Sequence, residues 1–351
     1  EAYLEPQIIL ELGRGKDDWF YEGFNLLKAG AKPLSRLGIK GKSLQHIGGS
    51  LNPPFPVAAK PILRDAVVTR PFGRSAERFR HLSTDLGGRM FGGTIAMRLM
   101  LYNMRYATGA GFKFHLPFPF GGFFRKTGKN LDSLIEFFRS QKADVLGLVE
   151  IDSGSYRTGR RCQAETIGGH LDHRSFCRTK YGQRSVWTRM PMMRKQANAC
   201  LCGKPVLREQ AHFLSKGVKR LVMEIELEDV VLFVVHLALS RRSREAQLAD
   251  LARLVRQVKK PYLIAGDFNA FAGKVELQEF MNALDLANAN AADAPTFPSR
   301  SPRWQLDFIL HSPGIRVTHF EVARHIRLSD HLPLICDFEV CGPAVASPVS
   351  A

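Results

Sequence analysis

The chain of 351 residues predicts a globular α/β fold, on three observations. Apolar β-type runs alternate with amphipathic helical segments from Met97 onward. Hydrophobic residues make up 45% and charged residues 24%, which supplies a core and sets the chain apart from disordered sequences. The apolar runs also stop repeatedly on a residue able to bind metal or phosphate. At this length the chain holds one large or two modest domains, and no apolar run approaches the roughly eighteen residues of a membrane span.

Residues 1–96 read as an N-terminal segment of unassigned role. Within it a helix is predicted from a cap near Asp17 to a stop at Gly30, and 52–61 and 87–93 carry the proline and glycine of loops or linkers. The alternating pattern fills a second unit, 97–341. "RLMLYNMRY" (98–106) is its first strand. "NLDSLIEFFRSQ" follows as a helix, with Asn130 as N-cap and Leu131, Leu134, Ile135 and Phe138 on one face. "ADVLGLVE" (143–150) is a buried strand ending in an acid. "RLVMEIEL" (220–227) and "VVLFVVH" (230–236) form a hairpin around Glu228 and Asp229. Ser243 is placed as the cap of a helix carrying Leu248, Leu251, Leu254, Val255 and Val258. "YLIAGDFN", "QLDFIL" (305–310) and "SDHLPLICDFEV" (329–340) complete the pattern, and 342–351 reads as a disordered tail.

Lys and Arg number 50 against 33 Asp and Glu, a formal charge of +17. Such a field attracts polyanions: nucleic acid, an anionic membrane surface or phosphorylated small molecules. Six cysteines in a chain of this size make no disulfide framework and suggest a reducing compartment, hence cytoplasm. Cys162 and Cys177 lie near His170 and His173, but without a C-x-x-C pair incidental thiols are favoured over a zinc site. The chain opens at Glu1 with no basic-then-apolar leader, as a fragment whose natural start lies upstream would.

The residues at the strand ends are Asn103, Glu150, His236, Asp267 with Asn269, Asp307, and Asp330 with His331. Taken singly each has a plain explanation, since Asp and Asn are ordinary turn formers and a lone histidine is more often structural. Their recurrence is harder to explain that way. Carboxylates suit a hard cation, amides orient oxygen atoms, and histidines move protons.

In order along the chain, "YNMR", "GLVEID", "HLALS", "GDFNA", "LDFIL" and "SDHLP" resemble the motif series of the endonuclease/exonuclease/phosphatase superfamily. The resemblance spans Arg98 to Val340 and implies a two-layer mixed β-sandwich flanked by helices, with the site where strands of both sheets end. It implies Glu150 as the principal acid for Mg²⁺ or Mn²⁺, with Asn103 beside it and Asp330 contributing directly or through water. By the same resemblance His331 matches the histidine at the scissile phosphate, with Asp307 as the acid that bonds it. Asp267 would align or deprotonate water, Asn269 would bond a phosphate oxygen, and His236 would contact phosphate or protonate the leaving oxygen. Abasic-site enzymes carry a tyrosine motif where His236 stands, which argues against that subgroup.

Less specific are Arg241, Arg242 and Arg244 at a helix start, where guanidinium groups favour phosphate, and Tyr156 and Arg157 in the loop after Glu150. The reading is a Mg²⁺-dependent phosphodiesterase or nuclease. A sphingomyelinase-like or inositol-phosphate hydrolase comes second, and an inactive binding module third. The expected partner is a phosphodiester, nucleic acid ahead of membrane lipid, with no nucleotide cofactor. The aromatic "FKFHLPFPFGGFF" (112–124) keeps the lipid alternative open.

Overall fold

The computed structural model describes residues 95–110, 124–181 and 191–341. The expected helix at Asp17–Gly30, the loops 52–61 and 87–93, the aromatic run 112–123 and the tail 342–351 lie outside these residues.

Among the described residues twelve strands form two six-stranded sheets. The first sheet contains β1 (Ile95–Asn103), β2 (Val145–Asp152), β3 (Arg174–Thr179), β4 (Gln196–Cys202), β11 (Ile315–Val322) and β12 (Leu334–Val340). Its strand order is β11-β12-β1-β2-β4-β3. The second contains β5 (Arg208–Phe213), β6 (Leu221–Glu226), β7 (Val231–His236), β8 (Tyr262–Asp267), β9 (Ala287–Asn288) and β10 (Asp307–His311). Its order is β5-β6-β7-β8-β10-β9. Each sheet is mixed: β1 runs parallel to β2 and β7 parallel to β8, while the other pairs are antiparallel.

Both faces of the central strands are covered, which is why they read as unbroken apolar runs. Leu99 and Leu101 of β1, Leu232 and Val234 of β7, and Leu263 and Ala265 of β8 meet in one core between the sheets. Met100 and Tyr102 turn the other way, against α1 (Gly128–Gln141) and α2 (Gln163–Leu171) through Leu134, Phe138 and Ile167. On the opposite outer face Val231, Phe233 and Val235 pack with Leu251 and Val255 of α3 (Arg241–Val255) and Phe280 of α4 (Lys274–Ala283). The alternation of period two in each strand therefore divides its side chains between two cores.

Three local expectations are corrected. The first strand stops at Asn103, and Arg105–Ala107 form a 3₁₀ turn with positive φ. Asn130 lies inside α1 rather than at its cap; its amide donates instead to the carbonyls of Ala107 and Leu328. Ser243 likewise sits inside α3, where Ser240 holds the cap position. Among the described residues no helix is long and apolar enough to cross a membrane.

Candidate active site

The site forms at one edge of the sandwich, where β1, β2, β7 and β8 end and β10 begins. In the second sheet the register pairs His236 with Asp267 and Asp267 with Asp307, so three functional groups stand in one row across adjacent strands. Gly266 makes this packing possible, because a Cβ there would lie 2.0 Å from the carbonyl oxygen of Val235. Asn103 and Glu150 approach from the first sheet. Glu150 lies at an irregularity in the β2–β4 pairing and has φ +55°, a left-handed conformation costly for a residue with a side chain.

Asp267 is the centre of the network. Its Oδ2 accepts from the Asn103 amide at 3.0 Å, and its Oδ1 accepts from the backbone N–H of Asn269 at 3.0 Å. Burial is the main cause that raises its pKa to about 6; the nearby Asp307 adds to the rise, and His331 and Lys219 oppose it. Asn269 has φ +51°, and its side chain donates to the carbonyl of Leu237. Asp307 accepts from His331 Nδ1 at 2.8 Å and from the hydroxyl of Thr296 at 2.6 Å. Burial works against the charged form of His331, but Asp307, then Asp267 and Asp330, outweigh it and raise its pKa to about 10.

His236 is the opposite case. Burial first, then the ammonium groups of Lys219 and Lys180, press its pKa well below the usual value, so the ring is neutral. Lys219 Nζ donates to His236 Nε2 at 2.8 Å, which leaves the ring proton on Nδ1. The same Nε2 lies 3.4 Å from Asp267 and 3.9 Å from Glu150. Glu150 Oε1 faces Lys180 at 3.4 Å and Lys219 at 3.8 Å. Burial opposes its ionisation, but Lys180, Lys219, His331 and Arg105 lower its pKa to about 2.

The structure thus gathers Asn103, Glu150, His236, Asp267, Asn269, Asp307 and His331. Asp330 lies at the margin, 3.2 Å from the Arg105 guanidinium. Two candidate substrate contacts are corrected. Arg157 is buried against Asp152 at 2.8 Å and stacks on Tyr106, so it serves the interior. Arg244 is buried against Glu276, also as an internal ion pair. Tyr156 is half exposed and donates to the carbonyl of Phe124; Arg241 and Arg242 are exposed, with Arg241 paired to Glu245. Lys180, Lys219, Arg105 and Thr296 belong to the site and were not singled out from sequence.

The donor set fits a hard divalent cation. It is rich in oxygen, and Glu150 stays ionised at any ordinary pH. Ligand atoms of Asp267, Asp307 and His331 lie within 4.8 Å of one another, the single such group of three among the described residues, but a cationic His331 has no lone pair to offer an ion, which leaves that part to the carboxylates. The cysteines and histidines near Cys162 form no such group: both ring nitrogens of His173 face backbone carbonyls.

Residues 100–331 match the model of the endonuclease/exonuclease/phosphatase family. The uncharacterized protein YbhP of Escherichia coli K12 is 30% identical over 129 residues, 34% of this chain. That match spans about half, 51%, of the curated relative's own length. An endonuclease/exonuclease/phosphatase family protein from Bacteroides thetaiotaomicron superposes with a TM-score of 0.54 at 13% identity, covering 71% of this chain and 99% of its own. The human Nocturnin catalytic domain with bound sulfate superposes at 0.51 and 19% identity, covering 70% and 97%. These structural likenesses carry the fold, and the family match carries membership. The chain belongs to the endonuclease/exonuclease/phosphatase family, whose members are phosphoester hydrolases.

Proposed function

We propose that the chain hydrolyses phosphoesters by direct attack of water on phosphorus, assisted by a divalent cation. The observation that carries this reading is the row His236–Asp267–Asp307 set against Glu150, with His331 anchored to Asp307. Asp267, with a pKa of about 6, is a base matched to neutral pH and takes the proton of the attacking water. His331 is cationic, with Nδ1 tied to Asp307, and offers Nε2–H to the charge that develops on the phosphate. As the new P–O bond forms, the ester P–O bond breaks and the leaving oxygen takes a proton from solvent, to which Asp267 later releases the one it accepted.

Neutral His236 stands beside Asp267, its Nε2 occupied by the Lys219 ammonium group. Glu150 is the carboxylate that would hold Mg²⁺ or Mn²⁺, and Asn103 keeps Asp267 in place. The ion, when bound, neutralises phosphate charge.

Nucleic acid is the substrate class proposed, on the charge of +17 and the exposed Arg241 and Arg242 at the start of α3. A lipid or small phosphoester is the second reading, for which the aromatic run ending at exposed Phe124 speaks. The test is hydrolysis of plasmid, single-stranded RNA, sphingomyelin vesicles and small phosphoesters with Mg²⁺, with Mn²⁺ and with EDTA. Turnover that EDTA abolishes supports the reading. Turnover indifferent to metal, or none on any substrate, sinks it.

A further inference from the structure

Two lysines reach the site from loops that the proposed mechanism does not use. Lys180 directly follows β3, and Lys219 precedes β6. Their side chains are only 2% and 11% exposed, and both ammonium groups converge on one atom, Glu150 Oε1. Lys180 also donates to the hydroxyl of Tyr106 at 3.1 Å and lies over its ring. Lys219 donates to His236, and its carbonyl is held by buried Gln247 at 2.6 Å. These are built positions, not surface side chains. Both ammonium groups therefore stand at the carboxylate proposed to hold the ion, where a phosphate drawn to that ion would meet them.

A divalent cation held by Glu150 would add two positive charges beside these two ammonium groups. An internal phosphodiester returns one negative charge and presents two non-ester oxygens. A terminal phosphomonoester returns up to two charges and presents three such oxygens, enough to engage both ammonium groups.

We propose that Lys180 and Lys219 bind the non-ester oxygens of a terminal phosphate, so that the site selects a phosphomonoester, such as the end phosphate of a nucleic acid, over an internal diester. This rests on the phosphoester reading above and puts a monoester in place of the diester expected from sequence.

The test compares phenyl phosphate with methyl phenyl phosphate, which share a leaving group, using the full chain with Mg²⁺. Wild type is expected to prefer the monoester. Lys180→Met and Lys219→Met are each expected to lower kcat/KM for the monoester about ten- to hundred-fold more than for the diester, with Lys→Arg restoring part of the difference. Calorimetric titration with inorganic phosphate is expected to weaken in the same variants. A wild-type preference for the diester, or an equal fall on both substrates, overturns the proposal and leaves hydrolysis standing. If wild type turns over neither these esters nor any substrate of the wider panel, the hydrolase reading fails. The phosphate titration then decides alone, and affinity unchanged in both folded Met variants overturns the lysine assignment.

Discussion

Replacing Asp307 by asparagine removes one charge from the site and keeps its shape. In the native protein the Asp307 carboxylate accepts from His331 at 2.8 Å and is itself held by Thr296 at 2.6 Å. Against the penalty of burial, this carboxylate does most to raise the His331 pKa from 6.5 to about 10. A gap of that size corresponds to about 3–5 kcal/mol of folding stability. Because the folded value lies above the unfolded one, the stabilisation is complete below pH 6.5 and drains away as pH rises toward 10. Asp307→Asn is therefore expected to unfold with about 3–5 kcal/mol less stability near pH 6, with the deficit shrinking steadily toward pH 10. Urea titrations of both proteins at several pH values measure it, and the difference between the two cancels titrations they share. A deficit that stays constant from pH 6 to 10 would refute the reasoning, since it would mean that the charge of His331 does not depend on Asp307.

Three further substitutions probe separate parts of the structure. Arg157→Met leaves Asp152 as a buried, unpaired charge and is expected to cost about 3–5 kcal/mol in urea unfolding; a loss below about 1 kcal/mol would put Arg157 back at the surface. Gly266→Ala forces a methyl group against the Val235 carbonyl and is expected to cost about 1–3 kcal/mol, read as a lower thermal midpoint. Arg241→Ala with Arg242→Ala is expected to weaken nucleic-acid binding and reduce its log–log salt slope by up to about 2. An unchanged slope would make that helix end an ordinary solvated surface.

Fold and site were legible to different depths, for physical reasons. β1, β2, β7, β8, β10 and β12 lie inside their sheets with both faces covered, so each shows as an apolar run; the first four end on a polar residue, while Asp307 opens β10 and His331 precedes β12. Edge strands give a weaker signal. β3 ("RSFCRT") and β5 ("REQAHF") bury few side chains, and their polar residues hide the period-two pattern. Short α2 and α4 were missed as well, since nine and ten residues give too few turns for the helical period to stand out.

In the site, residues at strand ends could be read because the strand itself gives their position. Lys180, Lys219 and Thr296 come from loops, and only the folded chain brings them to Glu150 and Asp307. The opposite error befell Arg157 and Arg244. Both sit in basic, polar stretches that read as surface, yet each finds a buried acid, Asp152 at five residues' distance and Glu276 in another helix. A count of charges cannot see such pairing; Asp152 at the end of β2, five residues before Arg157, was the available signal.

The most direct test of the site is hydrolysis of the best substrate by Glu150→Ala and His331→Ala, each shown by circular dichroism to be folded. Both are expected to lose at least about 10²–10³-fold in kcat. Activity within about tenfold of wild type in either folded variant would contradict the assignment of the site to this strand edge.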